Sequence, residues 1–173
     1  MSTSLFERLA NEQPQIVMKL TNQYRMNDDI NTVSNTLIYG GDLSCGSAEV
    51  AARRLEFPPP GAHALPPPRQ QPDWLRAAVK PAAGVVVLST DNMKEQSLER
   101  KSKTARGYEN ATEAALTAVL VQGLIKCGVQ SEDIGIISPY RAQLRLLRQN
   151  IQRHVPDVEV LTRPTSACLL CPV

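Results

Sequence analysis

One short stretch decides how this chain folds: Ile134-Gly-Ile-Ile-Ser-Pro-Tyr-Arg-Ala-Gln143. The apolar run 134–137 is typical of a buried strand, and the turn after it leads into a helix predicted over 140–153. Open α/β sheets bind ligands where strands end and helices begin, and the N–H groups at a helix start bind phosphate readily. This junction is therefore a candidate anion site. Its polar side chains are Ser138, Tyr140, Arg141 and Gln143.

A second junction of the same kind is Leu20-Thr-Asn-Gln-Tyr-Arg-Met26, which follows an apolar run at 16–20. Gln23 either orients a phosphate or stabilises the turn. Tyr24 either stacks on a purine base or closes the edge of the sheet. Arg25 either neutralises a transferred phosphate in the transition state or forms a surface salt bridge. An amide, a ring and a guanidinium together favour a phosphorylated nucleotide as the ligand.

Strands and helices alternate along the chain. Apolar runs predict strands at 16–20, 85–88, 134–137 and 158–161, and helices are predicted at 4–10, 28–39, 110–126 and 140–153. Asn27 or Asp28 caps the second helix, Gly40-Gly41 ends it, and Asn110 with Glu113 resembles a capping box for the third. This alternation predicts an α/β fold with an open, mainly parallel sheet.

The predicted helices also suggest core positions. In the second helix these are Ile30, Val33, Leu37 and Ile38, in the third Leu116, Val119, Leu120 and Leu124, and in the fourth Leu144, Leu147 and Ile151. Beside the apolar stripe of the fourth helix runs a basic one, formed by Arg141, Arg145 and Arg148. That stripe either follows a nucleic-acid backbone or is a solvated helix face.

Three segments depart from the alternating pattern. Residues 48–83 hold most of the 13 prolines and predict either an inserted loop or a poorly ordered segment, with Trp74-Leu75 as its anchor. Residues 91–107 are polar and basic, and predict either a mobile surface loop or a loop that contacts phosphates. Residues 162–173 show no helical or strand period and predict a tail outside the domain.

Composition excludes several classes of protein. The 173 residues carry a net charge of +2, too small to argue for or against nucleic acid, and contain neither a long apolar span nor a signal peptide. No membrane partner and a reducing compartment are therefore expected. Cys168 and Cys171 form a lone CxxC without further ligands, so no metal site is predicted. Cys45 and Cys127 are expected to be small buried residues.

Two elements of an ATP-hydrolysing site are missing from the sequence. There is no GxxxxGK[ST] phosphate loop, and no strand ends in the Asp-Glu pair that would hold magnesium. We therefore expect the chain alone not to hydrolyse ATP.

The two junction motifs resemble the second motor domain of superfamily 1 helicases. The similarity is greatest to the replication helicase/nucleases and secondarily to the nonsense-mediated decay helicase. It covers roughly residues 1–161 and fits poorly at 48–83. Shorter matches support it at Ser4–Leu9, Cys45–Ser47, Thr112–Ala114 and Val158–Val160.

The resemblance implies an ATP-driven translocase on single-stranded DNA, built from two recombinase-like (P-loop NTPase type) domains. It implies that Arg25 reaches the phosphates of ATP, with Tyr24 near the base and Gln23 beside them. It also implies that the Ser138-Pro139-Tyr140 turn faces the DNA, with Arg141 and Gln143 nearby. Magnesium-bound ATP would be held mainly by a first motor domain, and the family's iron–sulfur cluster by a nuclease domain, both outside this chain. The expected compartment is the nucleus, with the mitochondrion as a second one.

The chain also departs from the family. After Val160 the family continues with Thr-Val-Asp-x-x-Gln-Gly, whereas this chain reads Leu161-Thr162-Arg163-Pro164. The sequence therefore predicts an incomplete second motor domain at 1–161 and a non-family tail at 162–173. Three hypotheses stay open: part of a DNA helicase/nuclease of replication and repair, a non-catalytic nucleic-acid-binding module, and a non-functional truncated product.

Overall fold

The computed structural model describes residues 3–57, 72–80, 84–103, 106–155 and 157–161. They form two compact units, Met1–Arg53 and Arg54–Val173, which are described separately below. The proline triplets of 48–83 and the whole of 162–173 fall outside the described residues.

The first unit consists of short helices around a minimal parallel sheet. Helix α1 (Leu5–Glu12) is capped by Ser4, whose hydroxyl accepts the Glu7 N–H at 3.1 Å, and a 3₁₀ turn follows at Pro14–Ile16. Strand β1 (Asn22–Gln23) pairs in parallel with β2 (Ser44–Cys45). Between them, α2 (Asp28–Ser34) continues into a π-helical turn (Asn35–Tyr39), and α3 (Ala48–Ala52) follows β2.

Local signals placed both ends of the second predicted helix correctly. Asn27 caps α2 by accepting the Ile30 N–H at 3.0 Å, and Gly40 ends the π turn with a left-handed φ of 62°. The predicted core of this helix is wrong, however, because Val33, Leu37 and Ile38 are exposed. Asn31 is the residue that α2 buries.

The second unit holds the main core. It begins with α4 (Asp73–Ala78) and 3₁₀ turns at Asp91–Ser97, followed by a ribbon of antiparallel strands, β3 (Arg100–Lys101) and β4 (Tyr108–Glu109). Helix α5 (Ala111–Lys126), a 3₁₀ turn (Ser131–Asp133), β5 (Gly135–Ile137), α6 (Arg141–Ile151) and β6 (Glu159–Leu161) complete it. Strands β5 and β6 pair in parallel.

Helices α4, α5 and α6 bury one apolar cluster against the β5–β6 pair. The predicted stripe of α6 is confirmed, because Leu144, Leu147 and Ile151 are all buried. For α5 the prediction is confirmed at Leu124, which is buried, and at Leu120, which is partly buried against the core, whereas Val119 is exposed. The other buried positions of α5 are the small residues Ala114, Ala118 and Gly123 and also Val121. A side chain at Gly123 would meet Leu75 Cδ1 at 2.9 Å, so the glycine lets α4 pack closely against α5.

The sheet differs from the predicted one. Within the described ranges, strands occur as three separate pairs, and the predicted strands at 16–20 and 85–88 are wrong. Those apolar runs have no strand partner among the described residues, and several of their side chains are exposed. Propensity alone does not make a strand, because backbone N–H and C=O groups need a neighbouring strand to bond.

Two other segments are more ordered than expected. Within 48–83, residues 48–52 and 73–78 are helical, as α3 and α4. Leu75 is buried, and Trp74 is partly buried, against the core of the second unit. The basic segment 91–107 includes the 3₁₀ turns and strand β3.

Candidate functional site

Gln23 closes the first turn with both ends of its amide. The amide oxygen accepts the main-chain N–H groups of Arg25 at 2.9 Å and Met26 at 2.7 Å. The amide nitrogen donates to the Met26 carbonyl at 2.7 Å and to the sulfur of Cys45 at 3.0 Å. Of the two interpretations of Gln23, the turn-stabilising one is therefore directly visible, and contact with a nucleotide stays a prediction.

Tyr24 and Arg25 project from this closed turn. Tyr24 is 63% exposed, and its ring lies over Gly46, where a Cβ would sit 2.2 Å from ring carbon Cε1. Only glycine leaves room for the ring in that place. Arg25 is exposed. The turn thus presents an aromatic ring and a guanidinium next to each other on a fixed backbone.

Asparagines hold the strand that lies beside the turn. Asn35 donates to the Leu43 carbonyl and accepts its N–H, both at 2.8 Å, while Asn31 donates to the same carbonyl at 3.2 Å. Asn27 donates to the Arg53 carbonyl at 3.0 Å. These bonds fix the chain on either side of β2, which pairs with Gln23 through Cys45.

A cavity of ≈ 610 Å³ lies beside β1, within the size range of small-ligand pockets. Gln23 and Met26 line it, whereas neither Tyr24 nor Arg25 does. Lys19 and Asp42, which also line it, form a 2.9 Å salt bridge and remain largely exposed.

The second turn has a buried hydroxyl and an exposed ring. Ser138 is 5% exposed, and its oxygen accepts the Tyr140 N–H at 3.4 Å. Tyr140 is 51% exposed and stands at the N-cap of α6 without a capping side chain. Pro139 and Arg141 are exposed.

Gln143 joins α6 to the start of α5. Its amide oxygen accepts the Asn110 N–H at 2.7 Å, and its amide nitrogen donates to the Asn110 carbonyl at 3.1 Å. The predicted capping box is therefore half right. Asn110 Oδ1 accepts the Glu113 N–H at 3.0 Å, but Gln143 takes the reciprocal place expected for Glu113. Gln143 is 7% exposed, and its predicted contact with nucleic acid remains untested.

A cleft of ≈ 360 Å³ lies along the second turn. Ser138, Pro139 and Tyr140 form one side of it. The other side of the cleft was not predicted from the sequence, and it includes Tyr108 and three carboxylates, those of Glu99, Glu109 and Glu113. Tyr108 and Glu109 lie on β4, which was not predicted, and Glu113 was expected only to cap α5. Their place beside the turn is visible only in the tertiary structure.

The basic stripe of α6 is not uniform. Arg141, Arg145 and Arg148 are all exposed, and Arg148 also donates to the Val160 carbonyl at 2.9 Å, so it ties α6 to β6. All three arginines thus lie at the surface, as contact with a phosphate backbone requires, but the Arg148 guanidinium already binds a carbonyl within the protein.

Two of the four cysteines, Cys45 and Cys127, lie in the part of the chain that the structure describes. Cys45 and Cys127 are half-buried, and burial raises the pKa of the Cys127 thiol, which makes it less reactive. Within residues 3–57, 72–80, 84–103, 106–155 and 157–161, no three His, Cys, Asp or Glu side chains are grouped to hold a metal. Cys168 and Cys171 lie outside these residues.

No helix in the described part of the chain is long and apolar enough to cross a bilayer.

Comparison with known proteins identifies the class. A family model described as an AAA domain matches residues 1–164, and the chain belongs to this family. Over 92–94% of its length it is 38% identical to the DNA replication ATP-dependent helicase/nuclease dna2 of Schizosaccharomyces pombe and 42% identical to the corresponding DNA2 of Saccharomyces cerevisiae. It is 36% identical to the human DNA2 over 94% of the chain.

These matches confirm the resemblance to the replication helicase/nucleases. The chain spans only 10–15% of the length of these relatives.

Proposed function

We propose that this chain is part of the second motor domain of an ATP-dependent DNA helicase/nuclease that acts in replication and repair. The observation that carries the proposal is the Gln23 turn, which holds Tyr24 and Arg25 side by side and exposed. Relatives 36–42% identical are named as ATP-dependent helicase/nucleases.

Arg25 is the proposed catalytic residue. Its main-chain N–H is bound by Gln23, so the guanidinium starts from a fixed backbone position. A guanidinium stays charged and offers several donors in a rigid fork, which suits the charge that builds up on a transferred phosphoryl group. Tyr24 would lie against the base of ATP, and Gln23 would position both residues through the turn. Since neither Tyr24 nor Arg25 lines the cavity beside β1, the nucleotide is proposed on the exposed side of the turn.

Single-stranded DNA is the proposed partner of the second turn. Tyr140 offers an exposed ring for base stacking, and Arg141 an exposed charge for phosphate. Ser138 and Pro139 shape the contact surface. Gln143 would act indirectly, because its amide already holds Asn110.

The first motor domain and the nuclease domain of the proposed helicase/nuclease would lie outside this sequence. In a recombinase-like pair of domains, a first motor domain would bind magnesium and the β- and γ-phosphates, and ATP would be hydrolysed between the two. The nuclease domain would hold the iron–sulfur cluster. The proposed compartment is the nucleus, where replication takes place.

A chimera tests this function. Residues 1–161 replace the matched segment of the Saccharomyces cerevisiae relative, and ATP hydrolysis stimulated by single-stranded DNA is measured with and without Arg25→Ala. We expect kcat to fall by about 10³-fold or more, as for other catalytic arginines, with a much smaller change in KM.

Arg8→Ala is the matched control, since Arg8 is an exposed arginine on α1 of the same unit. It should leave kcat unchanged. An Arg25→Ala chimera that hydrolyses ATP at the parental rate would refute the catalytic role.

A further inference from the structure

The cleft beside the Ser138–Tyr140 turn has an unusual charge for a nucleic-acid contact. Glu99, Glu109 and Glu113 line it, and their carboxylates form no salt bridge or hydrogen bond with any residue that the structure describes. A phosphate group that entered such a cleft would be repelled by the three carboxylates. We therefore expect the DNA backbone to run outside it.

The walls of the cleft suit a nucleobase instead. Tyr108 and Tyr140 are 47% and 51% exposed and present rings on which a base can stack. The cleft volume of ≈ 360 Å³ is at the lower end of the range for small-ligand pockets, as a single base with its sugar requires. Carboxylates are acceptors only, so they favour a base edge that carries an amino group.

Ser138 supplies a second polar group at the same place. Its side chain is buried, it lines the cleft, and among the described residues its hydroxyl accepts one long hydrogen bond, from Tyr140, and donates none. The hydroxyl proton is thus available to an acceptor within the cleft. Cytosine places an acceptor, N3, next to its N4 amino group, so it matches a hydroxyl donor beside a carboxylate acceptor.

We propose that this cleft binds an unstacked nucleobase of the DNA strand and prefers bases with an exocyclic amine, cytosine over thymine among the pyrimidines. The phosphates then lie outside the cleft, on the side of Arg141. This inference rests on the proposed function, because it assumes that the second turn contacts single-stranded DNA. It gives that site a base preference and an orientation of the strand.

Calorimetric titration of the full chain with oligo(dC) and oligo(dT) of equal length tests the proposal. We expect oligo(dC) to bind at least about tenfold more tightly, the equivalent of one hydrogen bond to a charged group. Replacing both Glu109→Met and Glu113→Met removes two acceptors while keeping side-chain length. The oligo(dC)/oligo(dT) affinity ratio should then fall to about one.

The matched control is Glu95→Met with Glu132→Met. Both are exposed glutamates of the same unit outside the cleft lining, so the total charge changes equally. This variant should keep the parental ratio. Equal affinities of the parental chain for the two oligonucleotides would overturn the base preference and leave the proposed DNA contact standing. The base preference would also be overturned if the control variant lost the oligo(dC)/oligo(dT) affinity ratio as fully as the Glu109/Glu113 variant does. Failure of the parental chain to bind either oligonucleotide would refute the DNA contact itself.

Discussion

At the scale of single residues, two glutamines show which side-chain contacts a sequence does not predict. Gln23 and Gln143 were both recognised as candidate site residues because they stand at strand–helix junctions. The structure shows their amides bonded within the protein, to Met26 and Cys45 in one case and to Asn110 in the other. A sequence shows that an amide is present, but Cys45 and Asn110 lie 22 and 33 residues from these glutamines, so these two contacts depend on the tertiary fold.

Gln23→Ala tests how tightly the first turn is held. The substitution removes the donor that faces Cys45, together with the bonds that fix Arg25 and Met26. Loss of about 1 kcal/mol of hydrogen bonding should speed alkylation of Cys45 roughly fivefold. Mass spectrometry can follow each thiol separately, so Cys127 in the second unit provides an internal reference.

Gln15→Ala is the control for that experiment, since Gln15 is exposed and lies seven positions ahead of β1. It should leave both rates unchanged. If Cys45 reacted at the same rate in the Gln23 variant and in the parent, the turn would not depend on the amide.

At the scale of elements, helices were predicted better than strands, for a physical reason. The caps at Ser4, Asn27 and Asn110 bond main-chain groups three residues away, so a short window of sequence contains the whole signal. A strand needs a partner that is distant in sequence. The runs 134–137 and 158–161 pair with each other, whereas the equally apolar 85–88 has no strand partner in the described chain.

Leu75→Ala tests the packing of α4 on α5. Leu75 is 1% exposed and contacts the α5 backbone at Gly123, so the substitution leaves a cavity that the neighbouring helix cannot easily fill. We expect the free energy of unfolding to fall by about 2–5 kcal/mol in a urea titration. Leu98→Ala, at a leucine that is 60% exposed, should cost much less. Equal losses in the two variants would show that α4 is not part of the core.

At the scale of the whole molecule, apolar burial is very uneven. Among the described residues, the first unit buries only the apolar side chains of Leu43 and Val50, while the second contains the entire buried cluster. In the first unit Leu5, Phe6, Met18 and Leu20 are exposed. Since burial of apolar surface is the dominant stabilising term, the two units should differ in stability.

Amide hydrogen exchange should reveal that difference. Peptides from α2 should exchange at least about tenfold faster than peptides from α5, which corresponds to about 1.4 kcal/mol in the free energy of opening. The two sets of peptides come from one sample, so solution conditions are matched. Equal protection of α2 and α5 would show that both units open together.

Trp74 is an intrinsic fluorescence probe of the second unit. It is the chain's only tryptophan, and it packs against the core of the second unit. Its emission therefore follows the environment of that unit, whereas circular dichroism records helices throughout the chain. Both signals can be recorded while a single unlabelled sample is heated. If part of the helical circular dichroism is lost before the tryptophan emission changes, that early loss reports the melting of the first unit, which carries Arg25.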